Sequence, residues 1–171
     1  GGAVALRLPS VGFGGAVMPL GMFFLTAPAK GVAEMTGITR RSGIVAAYAW
    51  DMPGDGLPYT VLLREMRAMG LEVPAPPSPE ISRSVALQEL WTSSGLDSVQ
   101  TESIVVARTF ADFEDYLTTV LGSASAGAQL RRLSLQKATY LQARLQACIP
   151  ADSTGQFTYS ARANAVKGTV P

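Results

Sequence analysis

The sequence predicts an α/β protein in which about four strands are flanked by helices. Apolar runs that are typical of strands alternate with segments of helical periodicity. The order strand, helix, strand occurs within residues 16–50, which indicates a βαβ unit with two parallel strands and a right-handed crossover. Residues 156–168 alternate strictly between two sets of side chains, so the last strand is expected to be half exposed.

The first predicted strand, at about 16–21, lies in a long uncharged stretch. No residue between Arg7 and Lys30 is charged, and a run of this length could cross a membrane. Its three prolines and four glycines would break a membrane helix, so we expect a buried strand with loops and neither a membrane span nor a signal peptide. GFGG at 12–15 is expected to form a loop, but not a phosphate loop, because it precedes a strand instead of following one.

A helix is predicted over 28–39 and a second strand over 44–51. The proline that opens the helix suits the first helical position, and apolar residues follow it at helical spacing. The segment RRSG at 40–43 is expected to form a turn. The run IVAAYAW within the second strand is apolar throughout, which is typical of a strand that is buried on both faces.

The carboxyl ends of these two strands are candidate ligand contacts, because ligands bind outside the carboxyl ends of parallel strands in open α/β sheets. The residues there are Met18, Pro19 and Leu20 on the first strand, and Trp50 and Asp51 on the second. A structural role is an equal alternative, in which Trp50 is a hydrophobic plug and Asp51 caps the loop that follows. The residues alone leave both interpretations open.

The later part of the chain is also predicted to alternate between helices and strands. A Pro-rich connector at 73–79 has predicted helices on both sides, so the whole chain, 1–171, is expected to be a single domain. Asp112, Glu114 and Asp115 open one helix, where carboxylates favour the helix dipole more often than they perform acid–base chemistry. The predicted elements are helices at 57–70, 84–96, 111–121 and 133–149, and strands at 98–110 and 156–168.

The composition excludes several kinds of chemistry. The chain has no His and one cysteine, Cys148, which excludes histidine-based catalysis, a disulfide within the chain and a zinc cluster. Cys148 is expected to be a small buried hydrophobe on a helix, and a single cysteine suits the reducing cytoplasm. The chain has 14 basic and 13 acidic residues, so nothing attracts nucleic acid or an acidic membrane. No catalytic or metal-binding residue is predicted.

One long stretch resembles a known enzyme family. Residues 16–54, AVMPLGMFFLTAPAKGVAEMTGITRRSGIVAAYAWDMPG, are similar to the second half of class I S-adenosylmethionine-dependent methyltransferases of the small-molecule type. That family has a strand, a Pro-headed helix with a Glu-Met pair (here Glu34 and Met35), a turn, and a strand that ends in Trp-Asp. The segments RTFADFEDYLTTVL and YSARANAVKG resemble the carboxyl-terminal part of one bacterial subgroup, so the resemblance covers nearly the whole chain.

The resemblance implies a partial Rossmann-like methyltransferase sheet. The chain would supply the fourth to seventh strands of a seven-stranded sheet, the first two parallel and the last one antiparallel and inserted between the fifth and the sixth. A helical insertion at about 110–150 would form a cap over the substrate. The implied function is methyl transfer from S-adenosylmethionine to a small molecule. The residues implied to touch ligands are Ala3, Met18, Pro19 and Leu20 for the cofactor, and Trp50 and Asp51 for the substrate.

The sequence departs from the family in its cofactor motifs. The Gly-rich loop after the first strand and the acidic residue after the second are absent, and Gly2 stands where similar proteins have an Asp. We therefore expect a carboxyl-terminal portion that is inactive alone and does not bind S-adenosylmethionine with useful affinity. Its first strand would be an open apolar edge, which favours self-association. The alternative is a non-enzymatic, degenerate module that associates through this edge, whereas a membrane-associated protein using residues 8–29 is disfavoured.

Overall fold

The computed structural model describes residues 12–73, 75–122 and 126–171. Within these ranges the chain has four strands, six α-helices and two short 3₁₀ turns. The strands are β1 (Phe13–Pro19), β2 (Thr39–Trp50), β3 (Asp97–Phe110) and β4 (Phe157–Thr169). The helices are α1 (Pro28–Ile38), α2 (Thr60–Ala68), α3 (Ser84–Ser93), α4 (Phe113–Leu121), α5 (Ala126–Leu130) and α6 (Leu135–Cys148). The 3₁₀ turns are Met22–Phe24 and Pro79–Ser82.

The strands form one mixed sheet in the order β1-β2-β4-β3. β1 is parallel to β2, with Ala16 opposite Val45, and α1 is the connection between them. β4 is antiparallel to β2, with Lys167 opposite Ala46, and it lies between β2 and β3. The predicted α/β fold class, with a parallel first pair and an antiparallel last strand inserted into the sheet, is therefore confirmed.

The described residues divide into two compact units, each with its own apolar core. The first unit takes its residues from 12–57, 75–105 and 161–171, and the second from 58–73 and 106–160. β3 and β4 contribute to both units. The expectation of a single domain stays a prediction.

The core of the first unit lies on one face of the sheet. Helices α1 and α3 both pack on this face, where the Trp91 indole N–H donates a hydrogen bond to Val45 O at 3.0 Å. The other β2 face is open: Ile44 is 49% exposed, whereas Val45 is fully buried. The expectation that β2 is buried on both faces is therefore wrong for the described residues, because both helices cover the same side. The buried residues of this core are Met22, Val32, Met35, Val45, Ala47, Leu87, Trp91, Leu96 and Val166.

The start of β2 contains the segment that was expected to form a turn. Phe13 pairs with Thr39, and Gly15 pairs with Ile44. The pairing therefore advances two residues along β1 but five along β2, and residues 40–43 of β2 form a bulge. Because this pairing begins at Phe13, the loop expected at 12–15 is mostly strand. A Cβ at Gly43 would collide with the backbone of Gly14, which explains the glycine at the bulge.

The core of the second unit is aromatic. The rings of Phe110 and Phe157 stack with centroids 5.3 Å apart, and the edge of Tyr116 packs against both. The buried residues of this core are Leu62, Met66, Phe110, Tyr116, Val120, Ala126, Leu141, Leu145, Ile149 and Phe157. Short helix α5 begins at Ala126.

Two polar features of the second unit test the sequence predictions. The Asp112 carboxylate accepts a hydrogen bond from Asp115 N–H at 2.9 Å, so the acidic cluster caps the start of α4. Cys148 is exposed, which corrects the expectation that it is buried. Leu145 and Ile149 take the buried positions on this turn, so Cys148 faces outward, with Sγ 3.6 Å from Glu65 Oε1.

Candidate functional site

The candidate site is the edge formed by the carboxyl ends of β1 and β2. The two strands are parallel, Pro19 lies opposite Tyr48, and Leu20 N–H donates to Tyr48 O at 2.7 Å. The described candidate residues therefore lie at the same end of adjacent strands. Ala3, the remaining candidate, lies outside the described residues. Ligand contact by any of the candidates stays a prediction.

Met18 and Leu20 differ in what they offer a ligand. The Met18 side chain packs against the core of the first unit, and a Cβ at Gly21 would approach its Cγ to 3.0 Å. Leu20 has a φ of 50°, in the left-handed region that is rare for a branched side chain. Such a conformation costs on the order of 1 kcal/mol, which the surrounding structure must offset. Met18 is thus mainly a packing residue, and Leu20 turns the chain at the edge.

Asp51 is held by its neighbours. Arg162 on β4 donates hydrogen bonds from Nε and Nη2 to Asp51 Oδ2, at 3.1 and 2.7 Å. The other carboxylate oxygen, Oδ1, accepts from Gly54 N–H at 3.2 Å. Asp51 is buried, so this ion pair is shielded from water on the acid's side. Of the two roles that the sequence left open for Asp51, the structure contains the loop cap.

Main-chain contacts tie the same loop to β4. Asp51 N–H donates to Arg162 O at 3.0 Å, Arg162 N–H to Gly56 O at 2.9 Å, and Gly56 N–H to Asp51 O at 2.7 Å. Arg162 Nη2 also donates to Gly54 O at 2.9 Å. A Cβ at either glycine would collide with Asp51 and Arg162, so both positions need a residue without a side chain.

A buried hydroxyl fixes the other side of this loop. Ser82 is fully buried, and its Oγ donates to Pro79 O at 2.7 Å and accepts from Met52 N–H at 3.1 Å. Asn164 on β4 is also buried and donates from Nδ2 to Ser82 O at 2.8 Å. The end of β2, the 3₁₀ turn Pro79–Ser82 and β4 are therefore joined by hydrogen bonds around this loop.

Trp50 lies on the open face of the sheet. It is half-buried and lies opposite Ala163 of β4. Tyr48, two residues earlier, shares its face because side chains alternate along a strand, and Tyr48 lies opposite Pro19. We call Pro19, Tyr48 and Trp50 the apolar rim.

The sequence did not single out Arg162, Asn164 or Ser82. Arg162 and Asn164 lie on the last strand, which was expected only to be half exposed. Arg162 instead pairs with an acid 111 positions earlier in the chain, and Asn164 is buried. Arg162 and Asn164 on one face of β4 were the available signal, but their partners are too distant in sequence to be inferred from it.

Comparison with known proteins identifies the fold. No family model matches the sequence, and no curated protein matches it. Solved structures do match: a Bacillus halodurans C-125 protein, provisionally assigned as a methyltransferase, is 14% identical with a TM-score of 0.57. This match covers 100% of the present chain and 70% of the other. The chain has a methyltransferase-like fold.

Two further structures agree with this methyltransferase-like fold. A provisionally assigned methyltransferase from an antibiotic biosynthesis pathway of Anabaena variabilis ATCC 29413 is 12% identical, with a TM-score of 0.59 over 99% of this chain and 71% of that one. The YcgJ protein of Bacillus subtilis is 14% identical, with a TM-score of 0.53 over 99% of this chain and 68% of that one. The present chain therefore matches about two thirds of each neighbour's length.

Among the candidate residues that the structure describes, few groups are left to orient S-adenosylmethionine. Asp51, the acid of the candidate edge, already accepts hydrogen bonds from Arg162 and Gly54. Met18 faces the core. The surface left for a ligand is the apolar rim with Leu20, which has no charged group to orient S-adenosylmethionine.

Across 12–73, 75–122 and 126–171, no group of three or more His, Cys, Asp or Glu side chains could hold a metal ion. The helices of these same ranges are too short or too polar to cross a bilayer.

Proposed function

We propose that this chain is the carboxyl-terminal portion of an S-adenosylmethionine-dependent methyltransferase that acts on a small molecule in the cytoplasm, and that it is inactive alone. The observation that supports this most is the sheet order β1-β2-β4-β3 with an antiparallel inserted strand, in a chain that matches about 70% of the Bacillus halodurans neighbour. The motif resemblance over residues 16–54 points to the same family. The single cysteine supports a reducing compartment.

In this proposal the chain supplies one wall for the acceptor and one wall for the donor. Methyl transfer is an in-line displacement, so much of the catalysis can come from holding donor and acceptor in contact. Trp50 supplies an apolar wall for the acceptor, while Pro19 and Leu20 supply a wall for the donor. The Asp51–Arg162 pair positions this wall by fixing the loop that follows Trp50, and it does not touch the reacting atoms.

The experiment is to determine the coding sequence immediately upstream and to express any longer polypeptide that it encodes. We expect an in-frame strand, Gly-rich loop and helix, and a polypeptide that binds S-adenosylmethionine one-to-one and transfers a labelled methyl group to small-molecule acceptors. Trp50→Leu should lower methyl transfer at least tenfold, on the order of 1.4 kcal/mol, while cofactor affinity stays within about threefold. Val85→Ala, on the outside of α3, is the control. An upstream sequence that encodes no Gly-rich loop would contradict the proposal.

A second candidate is a non-enzymatic module that associates through the edge of β1. β1 is an outermost strand of the sheet, it has no charged residue, and its Val17 is 64% exposed. β3, the outermost strand at the other end, has Asp97, Glu102 and Arg108, and charges of this kind discourage edge pairing. Of the two outermost strands among the described residues, β1 is therefore the one without charged residues along its edge.

Hydrogen exchange tests this second candidate. In a parallel pair, alternate amides of β1 point away from β2 and exchange quickly unless another strand binds them. Edge pairing predicts that these outer amides become protected as the protein concentration rises, and that light scattering shows a matching gain in mass. Fast exchange of the outer amides at every concentration argues against it.

A further inference from the structure

The middle of β3 is an exposed apolar segment on an outermost strand. Among the described strands β4 is its one neighbour, so the main-chain groups of its other edge have no described strand to bond. Ile104, Val105 and Val106 are 41%, 65% and 48% exposed. Because side chains alternate along a strand, Val105 lies on one face and the other two lie on the opposite face. Apolar side chains are therefore exposed on both faces of this segment.

One acid and one base flank this segment at equal distances. Glu102 lies three positions before Val105, and Arg108 lies three positions after it. Their even spacing places both charged side chains on the same face of the strand. The Arg108 Cζ lies 4.6 Å from the ring centroid of Phe110, two positions further on, as this alternation requires. Glu102 is exposed and forms no ion pair within the described residues.

We infer that β3 pairs edge to edge with β3 of a second copy, antiparallel, about a two-fold axis at Val105. In such a pair, a residue before the axis faces the residue that lies equally far after the axis in the other copy. Glu102 of each copy then lies opposite Arg108 of the other, and Ile104 lies opposite Val106. Opposite side chains have Cβ atoms about 5 Å apart, which is close enough for an ion pair. Main-chain hydrogen bonds hold the two edges together, and the side-chain pairs set the register.

The strand geometry selects this register over its neighbours. An axis at Ile104 would place Glu102 opposite Val106, and an axis at Val106 would place Glu102 opposite Phe110. Both leave the acid facing an apolar side chain. An axis at Glu102 or at Arg108 would bring like charges together. Charges on an edge strand discourage most pairings, but in the register centred on Val105 they form two opposite-charge pairs.

The ion pair that Arg108 already makes leaves it able to bind a second acid. Its Nη2 donates to Asp115 Oδ1 at 3.1 Å, and the two side chains are 56% and 35% exposed. A guanidinium has several N–H donors in one plane. Arg108 can therefore bind Asp115 of its own copy and Glu102 of the other at the same time.

The edge of β3 is distinct from the edge where further strands would join. In the proposed methyltransferase those strands lie beyond β1, at the opposite end of the sheet from β3. β3 then stays outermost, so the inference does not depend on the proposed function. It also differs from association through β1, because it uses other amides and depends on charge.

The test is sedimentation equilibrium of the whole chain and its charge variants. The unaltered chain should be in monomer–dimer equilibrium. Glu102→Arg and Arg108→Glu should each weaken dimerisation at least about tenfold, because each places two like-charge pairs in the interface. The double variant should return the dissociation constant to within about threefold, since it reverses both members of each pair.

Asp97→Arg is the matched control. It reverses an exposed acid of the same strand, and Asp97 has no opposite residue within β3 of the other copy. It should change the dissociation constant by less than about threefold.

A second variant tests the position of the axis without changing either charged residue. Val105→Lys should fold, because Val105 is already 65% exposed. It places two ammonium groups opposite each other at the axis and should abolish dimerisation. In the unaltered dimer, hydrogen exchange should show newly protected alternate amides in β3 and none in β1.

Four results would overturn the inference. One is a chain that stays monomeric up to about 1 mM. Another is a dimer that both Glu102→Arg and Val105→Lys leave intact. A third is a double variant that Trp fluorescence shows to be folded but that does not regain dimerisation. The fourth is a dimer whose new amide protection is confined to β1.

Discussion

Replacing Arg162 with methionine tests whether the Asp51–Arg162 pair holds the candidate edge together. The substitution keeps most of the side-chain volume but removes both hydrogen bonds to Asp51 Oδ2 and the one to Gly54 O. Asp51 then keeps only the Gly54 N–H as a side-chain partner among the contacts described above. The acid is left shielded from water without its counter-charge.

The expected loss of unfolding free energy follows from how deeply Asp51 and Arg162 are buried. The Asp51 side chain is 12% exposed and the Arg162 side chain is 45% exposed. Breaking a fully buried pair costs about 3–5 kcal/mol, and an exposed pair contributes about 0–1 kcal/mol. A pair with one buried member lies between these limits, so we expect a loss of about 2 kcal/mol in unfolding free energy. This corresponds to a fall of roughly 4–8 °C in Tm for a chain of this size.

The assay is urea unfolding followed by Trp fluorescence, because both tryptophans, Trp50 and Trp91, belong to the first unit. Arg83→Met is the matched control, since Arg83 pairs with Glu80 at the surface, with 54% and 71% of the two side chains exposed. The control should lose less than about 0.5 kcal/mol. If Arg162→Met loses no more than Arg83→Met, the pair does not stabilise the edge and our reasoning about Asp51 is wrong.

Three further substitutions test other parts of the structure. Gly56→Ala should cost about 1–3 kcal/mol because its Cβ collides with Arg162 O, whereas Gly37→Ala, with open space around it, should be neutral or stabilising; urea unfolding compares them. Tyr116→Phe should add about 1 kcal/mol to the thermal unfolding free energy, since it removes a buried hydroxyl that has no partner. Burial also raises the pKa of Tyr116 above its ordinary value of about 10. The unaltered protein should therefore lose unfolding free energy as the pH rises above about 10, and Tyr116→Phe should lose less. Asp112→Ala should cost about 1 kcal/mol in thermal unfolding by loss of the α4 cap, and a loss equal to that of Glu114→Ala would contradict the capping role.

Local sequence patterns predicted the elements that depend on neighbouring residues. The proline at the start of α1 and the strict alternation of β4 are examples, and the structure has α1 at Pro28–Ile38 and β4 at Phe157–Thr169. The sheet order followed from the family resemblance, because no local pattern states which strands pair. The helix cap at Asp112 was likewise readable, since its partner is three positions away.

Features that depend on distant residues were not predicted. The bulge at 40–43 exists because β1 runs alongside it, and a turn was the natural expectation from RRSG alone. The apolar run of β2 could not reveal that helices cover only one of its faces. The sequence could not show that Arg162, 111 positions later in the chain, holds Asp51.

Calorimetric titration of S-adenosylmethionine into this chain tests the central claim most directly. The claim is that the described candidate residues, the apolar rim with Leu20, contribute one wall of a methyltransferase site and offer no charged group to orient the cofactor. We predict no saturable heat up to about 1 mM cofactor, which corresponds to a binding free energy weaker than about −4 kcal/mol. Tight one-to-one binding by the chain alone would contradict the account, because the pocket would then be complete within these 171 residues.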